Sequence, residues 1–335
     1  MRMVFKFVTA KSAHALLTVL VALGSALPAR AASVPTVRPE IVRTLPHDPR
    51  AFTQGLVFHE GKLYESTGLL GQSSLRRVVP STGAVEKSVS LAGELFGEGL
   101  ALVGDRFIQL TWQNHVALRY DLDFKAVDRV DYAGEGWGLC YDGARLVMSD
   151  GSSRLLFRNP STFGVTGDIE VRNANGPLSR LNELECVGPH VFANVWQTNF
   201  IVRIDPSSGD VTGVVDASGL LTRAEAAGVD VLNGIAFDPG TGHFFITGKL
   251  WPKLFEVRFS FDSQPDAGPA GGGGSNGDSG AGAEPETPAP KEPRSHSDCG
   301  CELPVGPEKP HVWALFVGLA AVSRLRKRQH SRRTS

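Results

Sequence analysis

Gln54-Gly55-Leu56 is the first of five occurrences of a three-residue sequence pattern, called a phrase below. The others are Glu98-Gly99-Leu100, Trp137-Gly138-Leu139, Asn182-Glu183-Leu184 and Asn233-Gly234-Ile235. Successive phrases start 44, 39, 45 and 51 residues apart. Each phrase opens a segment of short strand-like runs that are separated by turn residues. A period of about 40 to 50 residues built from short strands is typical of a β-propeller, with one four-stranded blade per repeat. The sequence therefore predicts an all-β fold, a five-bladed β-propeller.

The residue that opens each phrase should occupy the same place in its blade, at the start of the innermost strand. Five such residues would ring one end of the central channel: Gln54, Glu98, Trp137, Asn182 and Asn233. The ends of the second strands would lie beside them, at Gly68, Trp112, Gly151, Trp196 and Lys249. We expect the active site at this end of the channel.

Two segments outside the repeat bear on how the ring closes and how the blades are joined. The fifth repeat ends after its third strand, while a strand-like segment from Glu40 to Leu45 precedes the first repeat. We expect that segment to supply the outer strand of the last blade, because this pairing removes an exposed sheet edge. A short helix over Thr222–Ala227 is predicted in the longest connection between blades.

The N-terminus has the features of a secretory signal peptide over residues 1–31. Basic residues precede an apolar run from Ala15 to Leu27, and Ala29-Arg30-Ala31 offers small residues for cleavage after Ala31. The alternative is an N-terminal membrane anchor, which the short apolar run disfavours. We therefore expect an exported protein whose folded catalytic domain spans residues 33–262.

Residues 263–298 are rich in Gly, Pro, Ser and acidic residues, which predicts a flexible linker. Residues 299–335 contain Cys299-Gly300-Cys301, an apolar stretch from Val312 to Val322 and an Arg-rich end. Eleven helical residues reach about 16 Å, roughly half of a ~30 Å hydrocarbon core, so we expect only transient membrane contact. This tail resembles the C-terminal sorting signal of myxobacterial surface proteins. A metal-binding or disulfide-bonded Cys-x-Cys is the alternative.

The composition limits the partners of the folded domain. A formal net charge of −1 gives no support for nucleic-acid binding, and a hydrophobic fraction of 41% is ordinary for a globular protein. We expect a monomer. Four cysteines, two of them in the tail, do not make a disulfide framework, and the sequence leaves the redox state of Cys140 and Cys186 open.

The predicted channel residues suggest proton transfer rather than covalent catalysis. They include one carboxylate, one lysine and three tryptophans, with no serine–histidine pair and no cysteine nucleophile. Glu98 in a narrow aromatic channel would be desolvated, which raises the pKa of a carboxyl group toward the range useful for proton transfer. Each residue also has a structural alternative. The tryptophans could pack between blades, Asn182 and Asn233 could bond turn backbone, and Lys249 could be a rim charge.

Four strings resemble the plant-type glutaminyl cyclases, a family shared by plants and some bacteria: Phe52-Thr53-Gln54-Gly55-Leu56, Phe96-Gly97-Glu98-Gly99-Leu100, Leu181-Asn182-Glu183-Leu184-Glu185 and Thr247-Gly248-Lys249-Leu250-Trp251. The resemblance covers nearly all of residues 39–261. It implies a five-bladed propeller that converts the N-terminal glutamine of peptides to pyroglutamate with loss of ammonia, without a cofactor or catalytic metal. The pocket residues that it implies are Phe52, Gln54, Phe96, Glu98, Trp112, Trp137, Asn182, Trp196 and Lys249.

The residue roles follow from that reaction. Glu98 would be the general acid and base, and Asn182 and Lys249 would hold the γ-carbonyl and stabilise its developing charge. The substrate-binding residues would be Phe52, Gln54, Phe96, Trp112, Trp137, Trp196 and Asn233. Two other functions stay open: a metal-dependent propeller hydrolase such as a lactonase, with Ca²⁺ bound by Glu98, Asn182 and Asn233, and a non-catalytic propeller that binds peptides.

Overall fold

The computed structural model describes residues Ser33–Phe261, and the expectations for residues 1–31 and 263–335 lie outside this range. All regular secondary structure in the described range is β-strand. No helix among residues 33–261 is long and apolar enough to cross a bilayer.

Five blades follow two N-terminal strands, the two-residue β1 (Thr36–Val37) and the seven-residue β2 (Glu40–Pro46). Blade 1 contains β3 (Thr53–His59), β4 (Lys62–Thr67), β5 (Ser74–Val78) and β6 (Val85–Ser90). Blade 2 contains β7 (Gly97–Val103), β8 (Arg106–Thr111), β9 (Val116–Asp121) and β10 (Ala126–Asp131). Blade 3 contains β11 (Leu139–Tyr141), β12 (Leu146–Ser149), β13 (Arg154–Arg158) and β14 (Val165–Glu170), and the pair β15 (Arg172–Asn173) and β16 (Gly176–Pro177) follows it. Blade 4 contains β17 (Leu181–Val187), β18 (His190–Val195), β19 (Phe200–Ile204) and β20 (Val211–Asp216), and blade 5 contains β21 (Leu232–Asp238), β22 (His243–Gly248) and β23 (Lys253–Arg258).

The innermost strands contact one another in the order β3, β7, β11, β17 and β21, and β21 returns to β3. Apolar side chains fill the space between neighbouring blades; at the junction of blades 5 and 1, Leu56 and Leu63 pack with Phe245 and Leu254. The outer strands β6, β10 and β14 are mostly exposed. This ring of five antiparallel sheets confirms the predicted five-bladed propeller.

The ring closes through the segment that the sequence predicts. Strand β2 pairs antiparallel with β23, with Leu45 opposite Leu254, and becomes the outer strand of blade 5. The Arg43 Nε atom donates to Glu256 at 2.5 Å across this pairing. In addition, β1 pairs in parallel with β20 and gives blade 4 a fifth strand that the sequence analysis does not predict.

The predicted helix over Thr222–Ala227 is wrong: the segment forms consecutive turns. A capping box is present, since the Thr222 N–H and hydroxyl both donate to Glu225 Oε2 at 2.9 Å. The run of turns ends at Gly228, whose φ of 91° is a left-handed conformation that terminates a helix. Too few residues separate the cap from this stop for a helix to propagate.

A disulfide joins Cys140 of β11 to Cys186 of β17, with Cα atoms 5.5 Å apart. It crosses between the innermost strands of blades 3 and 4. The sequence analysis left the redox state of both cysteines open, and the two residues are adjacent only because corresponding strands of neighbouring blades lie side by side.

Candidate active site

The start of the innermost strand is irregular in four of the five blades. The pairing register shifts between Thr53 and Gly55, between Gly97 and Leu100, between Leu181 and Leu184, and between Leu232 and Ile235. A β-bulge leaves its extra residues out of the ladder and can re-aim their side chains. The residues released in this way include Gln54, Glu98, Asn182 and Asn233, four of the five predicted ring positions.

Three of these side chains form one hydrogen-bonded chain across blades 5, 1 and 2. Asn233 Nδ2 donates to Gln54 Oε1 at 3.2 Å, and Gln54 Nε2 donates to Glu98 Oε1 at 2.9 Å. Asn233 Nδ2 also donates to the Thr53 carbonyl at 3.0 Å, which sets the orientation of its amide. The chain therefore holds the Glu98 carboxyl group from one side, in a buried position.

The Glu98 carboxyl group has a pKa well above its usual range. Burial is the main cause, because it penalises the charged form. The Lys249 ammonium lowers this pKa, and the Glu135 carboxylate raises it. The Glu98 main chain is fixed by Ser66, whose hydroxyl donates to the Glu98 carbonyl. The site thus contains a rigidly held carboxyl group that is poised to keep or exchange a proton.

Lys249 is buried, with 2% of its surface exposed, so it is not a rim charge. Its N–H donates to the Val231 carbonyl at 2.9 Å and its carbonyl accepts from the Asp230 N–H at 3.0 Å. The Nζ atom lies 4.9 Å from the centroid of the Phe52 ring. Burial lowers the pKa of the ammonium group, and the charge of Glu98 opposes that shift.

An arc of aromatic rings lies at the same end of the channel. Phe52 and Phe96 meet edge to face at 6.1 Å, and Phe96 and Trp112 meet in the same way at 5.8 Å. Trp137 and Trp196 form a second edge-to-face pair at 5.4 Å. The three indoles are only partly buried, so ring surface stays accessible to a ligand.

Two glycines at the ends of second strands let these rings approach the backbone, as the sequence analysis expects. A Cβ atom on Gly151 would lie 2.7 Å from Trp137 Cζ2, and Gly151 also has a φ of 83°. A Cβ on Gly68 would collide with the rings of Phe52 and Phe96. A side chain at either position would push the aromatic arc out of place.

Asn182 and Asn233 each present a buried side-chain carbonyl oxygen, Oδ1, that has no hydrogen-bond partner. Buried polar atoms are nearly always paired in folded proteins, so an unpaired oxygen is suited to a donor on a ligand. The Asn182 main-chain carbonyl accepts from Ser149 Oγ at 2.7 Å, which fixes the position of this residue. Asn233 also bonds main chain, at the Thr53 carbonyl, but Thr53 begins strand β3 and is not in a turn.

The sequence analysis misses two carboxylates near the channel. Glu183 accepts the Leu56 N–H at 3.2 Å and the Ile235 N–H at 2.8 Å, so it ties blade 4 to blades 1 and 5. Glu135 accepts hydrogen bonds from the indoles of Trp112 and Trp137. Glu183 could have been predicted near the channel because it lies inside one of the five phrases. Glu135 lies in a connection, and its position two residues before Trp137 was the one sequence feature that pointed to it.

The side chains of residues 33–261 include no group of three or more His, Cys, Asp or Glu residues placed to hold a metal ion. The predicted Ca²⁺ ligands of the lactonase alternative would be one carboxylate and two amides, close to a lysine whose charge acts on the same carboxylate. That donor set is weak for a divalent cation.

Comparisons with known proteins agree with this architecture. Residues 14–259 match the family model described as glutamine cyclotransferase. A glutaminyl-peptide cyclotransferase of Arabidopsis thaliana is 43% identical over 225 residues, which are 65% of this chain and 70% of the relative. The crystal structure of Myxococcus xanthus glutaminyl cyclase aligns with a TM-score of 0.63 and 44% identity, over 67% of this chain and 97% of that one. The chain belongs to the glutamine cyclotransferase family.

Proposed function

We propose that this protein converts the N-terminal glutamine of peptides to pyroglutamate and releases ammonia. The observation that carries the proposal is the buried Glu98 carboxyl group, which lies near a buried lysine at the aromatic end of the channel. Family membership and the name of the Arabidopsis relative support the same activity.

The reaction requires orientation more than a strong nucleophile. The attacking α-amine and the γ-carbonyl belong to the same residue, so the enzyme has to fold the glutamine side chain into ring-closing geometry, where orientation contributes several kcal/mol. The arc containing Trp112, Trp137 and Trp196 provides flat apolar walls for that purpose. An α-amine has a pKa of about 8, so a useful fraction is already neutral at physiological pH.

Glu98 would transfer one proton between the two nitrogens. The α-amine attacks the γ-carbonyl carbon and forms a tetrahedral intermediate with an N–H in excess. The ionised Glu98 carboxylate accepts that proton and then gives it to the departing amide nitrogen as the C–N bond breaks. Ammonia and the lactam are the products, and the carboxylate is regenerated.

The neighbours of Glu98 would control charge and hold the substrate. The Lys249 ammonium would stabilise the negative charge that develops on the γ-carbonyl oxygen. The unpaired Oδ1 atoms of Asn182 and Asn233 would accept hydrogen bonds from the substrate's amine or amide N–H groups. This role as acceptor differs from the oxyanion contact predicted for Asn182 from the sequence.

One assay tests the activity and separates it from both alternatives. The purified protein is given a peptide with N-terminal glutamine, and ammonia release is measured with and without EDTA. We expect equal turnover in both conditions and none with the N-acetylated peptide, because acetylation removes the nucleophile. Loss of turnover in EDTA would support a metal-dependent enzyme. Ammonia release from the acetylated peptide would identify an amidase, and binding without turnover would identify a peptide-binding module.

We also propose that the protein is exported as a monomer and that its tail makes only transient membrane contact. The disulfide between Cys140 and Cys186 supports an oxidising destination, because such bonds are rare in the reducing cytosol. Mass spectrometry of the protein from the producing cell tests the proposed processing. We expect an N-terminus after Ala31; retention of residues 1–31 would contradict the proposed export.

A further inference from the structure

One carboxylate at the aromatic end of the channel has no role in the proposed chemistry. Glu135 lies in the connection between β10 and β11. Its Oε2 atom accepts from Trp112 Nε1 at 2.8 Å and from Trp137 Nε1 at 3.0 Å. Its Oε1 atom accepts from Gln113 Nε2 at 2.8 Å. A single oxygen is therefore shared by two indoles that come from different blades.

This sharing matters because an indole has one hydrogen-bond donor. The direction of Nε1–H sets the rotation of the whole ring, so the acceptor decides which surface the ring presents. Trp112 continues one half of the aromatic arc through Phe96, and Trp137 continues the other half through Trp196. The carboxylate thus links the two halves.

The connection that carries Glu135 is itself fixed to blade 2. The Gly136 N–H donates to the Trp112 carbonyl at 3.2 Å, and the Tyr132 hydroxyl donates to the Thr111 carbonyl. The Trp137 N–H donates to the Ser149 carbonyl at 3.0 Å in blade 3. Hydrogen bonds on both sides of Glu135 therefore fix the connection that carries the carboxylate.

Glu135 also stays charged while it does so. Burial alone would raise the pKa of its carboxyl group, but the hydrogen bonds from Gln113, Trp137 and Trp112 outweigh burial and lower that pKa. Hydrogen bonds to an ionised acceptor are about twice as strong as neutral ones. The ionised form is the one that best restrains two indoles at once.

We propose that Glu135 is a positioning residue for glutamine cyclisation: it fixes the Trp112 and Trp137 rings that hold the substrate side chain. This inference rests on the proposed function. It assigns Glu135 no contact with the reacting atoms. The groups whose charge acts on the reacting carboxyl, Glu98, are Lys249 and Glu135 itself, so a change at Glu135 must be tested for charge and for geometry separately.

Two substitutions of Glu135 make that separation in the full-length protein. Glu135→Gln removes the charge but keeps an oxygen that can accept from both indoles. Glu135→Ala removes the acceptor as well. Glu94→Ala is the matched control, because Glu94 is an exposed carboxylate in the connection between β6 and β7 and does not belong to the aromatic arc. Trp112→Phe with Trp137→Phe removes both N–H donors and provides a background in which Glu135 has no indole to position.

We expect Glu135→Ala to raise KM about tenfold, as the loss of a charge-assisted hydrogen bond would, and to reduce the near-UV circular dichroism of the tryptophans. Glu135→Gln should stay within about threefold of wild-type KM, with the acid limb of its kcat/KM profile moved to lower pH because the charge that raises the Glu98 pKa is gone. Adding Glu135→Ala to the double-Phe background should change KM less than twofold, since the two effects share one interaction.

Three results would overturn the proposal: Glu135→Ala within twofold of wild-type KM with an unchanged dichroism spectrum, Glu135→Gln as impaired as Glu135→Ala, or full additivity with the double-Phe variant. Failure of the proposed function is visible separately, as absence of turnover in the wild-type protein. In that case, the near-UV circular dichroism spectra of Glu135→Ala and Glu135→Gln can still be compared to test whether Glu135 positions the rings.

Discussion

Two buried carboxylates in neighbouring blades have opposite properties. Glu65 of β4 and Glu98 of β7 are 1% and 3% exposed. Glu65 accepts from Thr53 Oγ1 at 2.6 Å and from His47 Nε2 at 3.1 Å, and it forms an ion pair with Arg76. Burial alone would raise its pKa, but these charges and hydrogen bonds lower it well below the usual range.

At Glu98 the Gln54 Nε2 atom donates to Oε1 at 2.9 Å and the Lys249 charge lowers the pKa, but burial and the Glu135 charge act in the opposite direction and outweigh Lys249. Its pKa is therefore raised. The difference shows that burial alone does not decide the pKa of a carboxyl group; the balance between burial and the charges and hydrogen bonds around the group does. Glu65 holds His47, which follows the closing strand β2, against blade 1. Glu98 instead has a raised pKa and can exchange a proton.

The largest effect should come from Glu98→Gln. Glutamine keeps the size of the side chain but cannot exchange a proton, so we expect kcat to fall roughly 10²- to 10⁴-fold. The melting temperature should not fall, because a group whose charged form is penalised by burial is replaced by a neutral one. Ammonia release and thermal unfolding measure both, and turnover near the wild-type level would move the proton-transfer role elsewhere.

Glu65→Gln should give the opposite result. Removing the charge takes the counter-ion from His47 and leaves Arg76 with Asp48 alone, which should lower the free energy of unfolding by about 3–5 kcal/mol. The kcat of the folded protein should change less than about threefold. Denaturant unfolding with Glu86→Gln as control measures this, since the ion pair of that exposed β6 carboxylate with Lys62 is screened by solvent and should contribute little to stability. Equal losses for the two variants would contradict the comparison.

Lys249→Met tests whether the Lys249 charge lowers the pKa of Glu98. We expect kcat to fall roughly 10²- to 10³-fold through loss of charge stabilisation at the γ-carbonyl oxygen. The residual activity should have its acid limb at higher pH, because the cation that lowers the Glu98 pKa is absent. The pH profile of kcat/KM is the measurement; an unmoved acid limb would show that Lys249 has no electrostatic effect on Glu98.

The smallest effect should be the pH dependence that His47 adds to stability. Burial would lower the pKa of its imidazole, but Glu65 outweighs burial and raises that pKa above 6.5. The resulting stability is fully present below pH 6.5 and is lost as the pH rises through the folded-state pKa. The melting temperature of wild type relative to His47→Gln should therefore be highest near pH 6 and should converge toward pH 9. A difference that is constant with pH would show that His47 does not titrate in this range.

The fold was predictable because a propeller repeats one structural place in every blade. The position at the start of an innermost strand recurs every 39 to 51 residues, which is why Gln54, Glu98 and Asn233 could be assigned to one ring before the structure showed their hydrogen bonds. The closing strand was predictable for the same reason, since one blade lacked a fourth strand. Features that depend on the repeat could be read from the sequence.

Features outside the repeat could not be predicted from the sequence. Glu135 lies in a connection, and its role depends on sharing one oxygen between the neighbouring Trp137 and Trp112 of another blade, to which the repeat does not relate it. The disulfide depends on side-by-side strands rather than on a Cys motif. The wrong helix over Thr222–Ala227 had a real capping signal but was terminated by Gly228, so local propensity was overridden by the connection's length.

The strand that closes the ring also determines the order in which the blades are completed during synthesis. Glu40 in β2 meets Arg258 of β23, 218 positions later in the chain. At synthesis rates of about 5–20 residues per second, the first large strand to be made waits roughly 10–40 seconds for its partner. No shorter loop can bring the two strands together, so blade 5 is completed last.

During that interval β2 is an unpaired sheet edge, the kind of segment that joins strands of other chains. Its sequence is Glu40-Ile-Val-Arg-Thr-Leu-Pro46, with a charge at its first and fourth positions and a proline at its end. Charged residues and proline are the features that keep exposed strands from self-association. We therefore expect Glu40 and Arg43, which pair with Arg258 and Glu256 in the folded protein, to disfavour self-association of β2 before β23 is made.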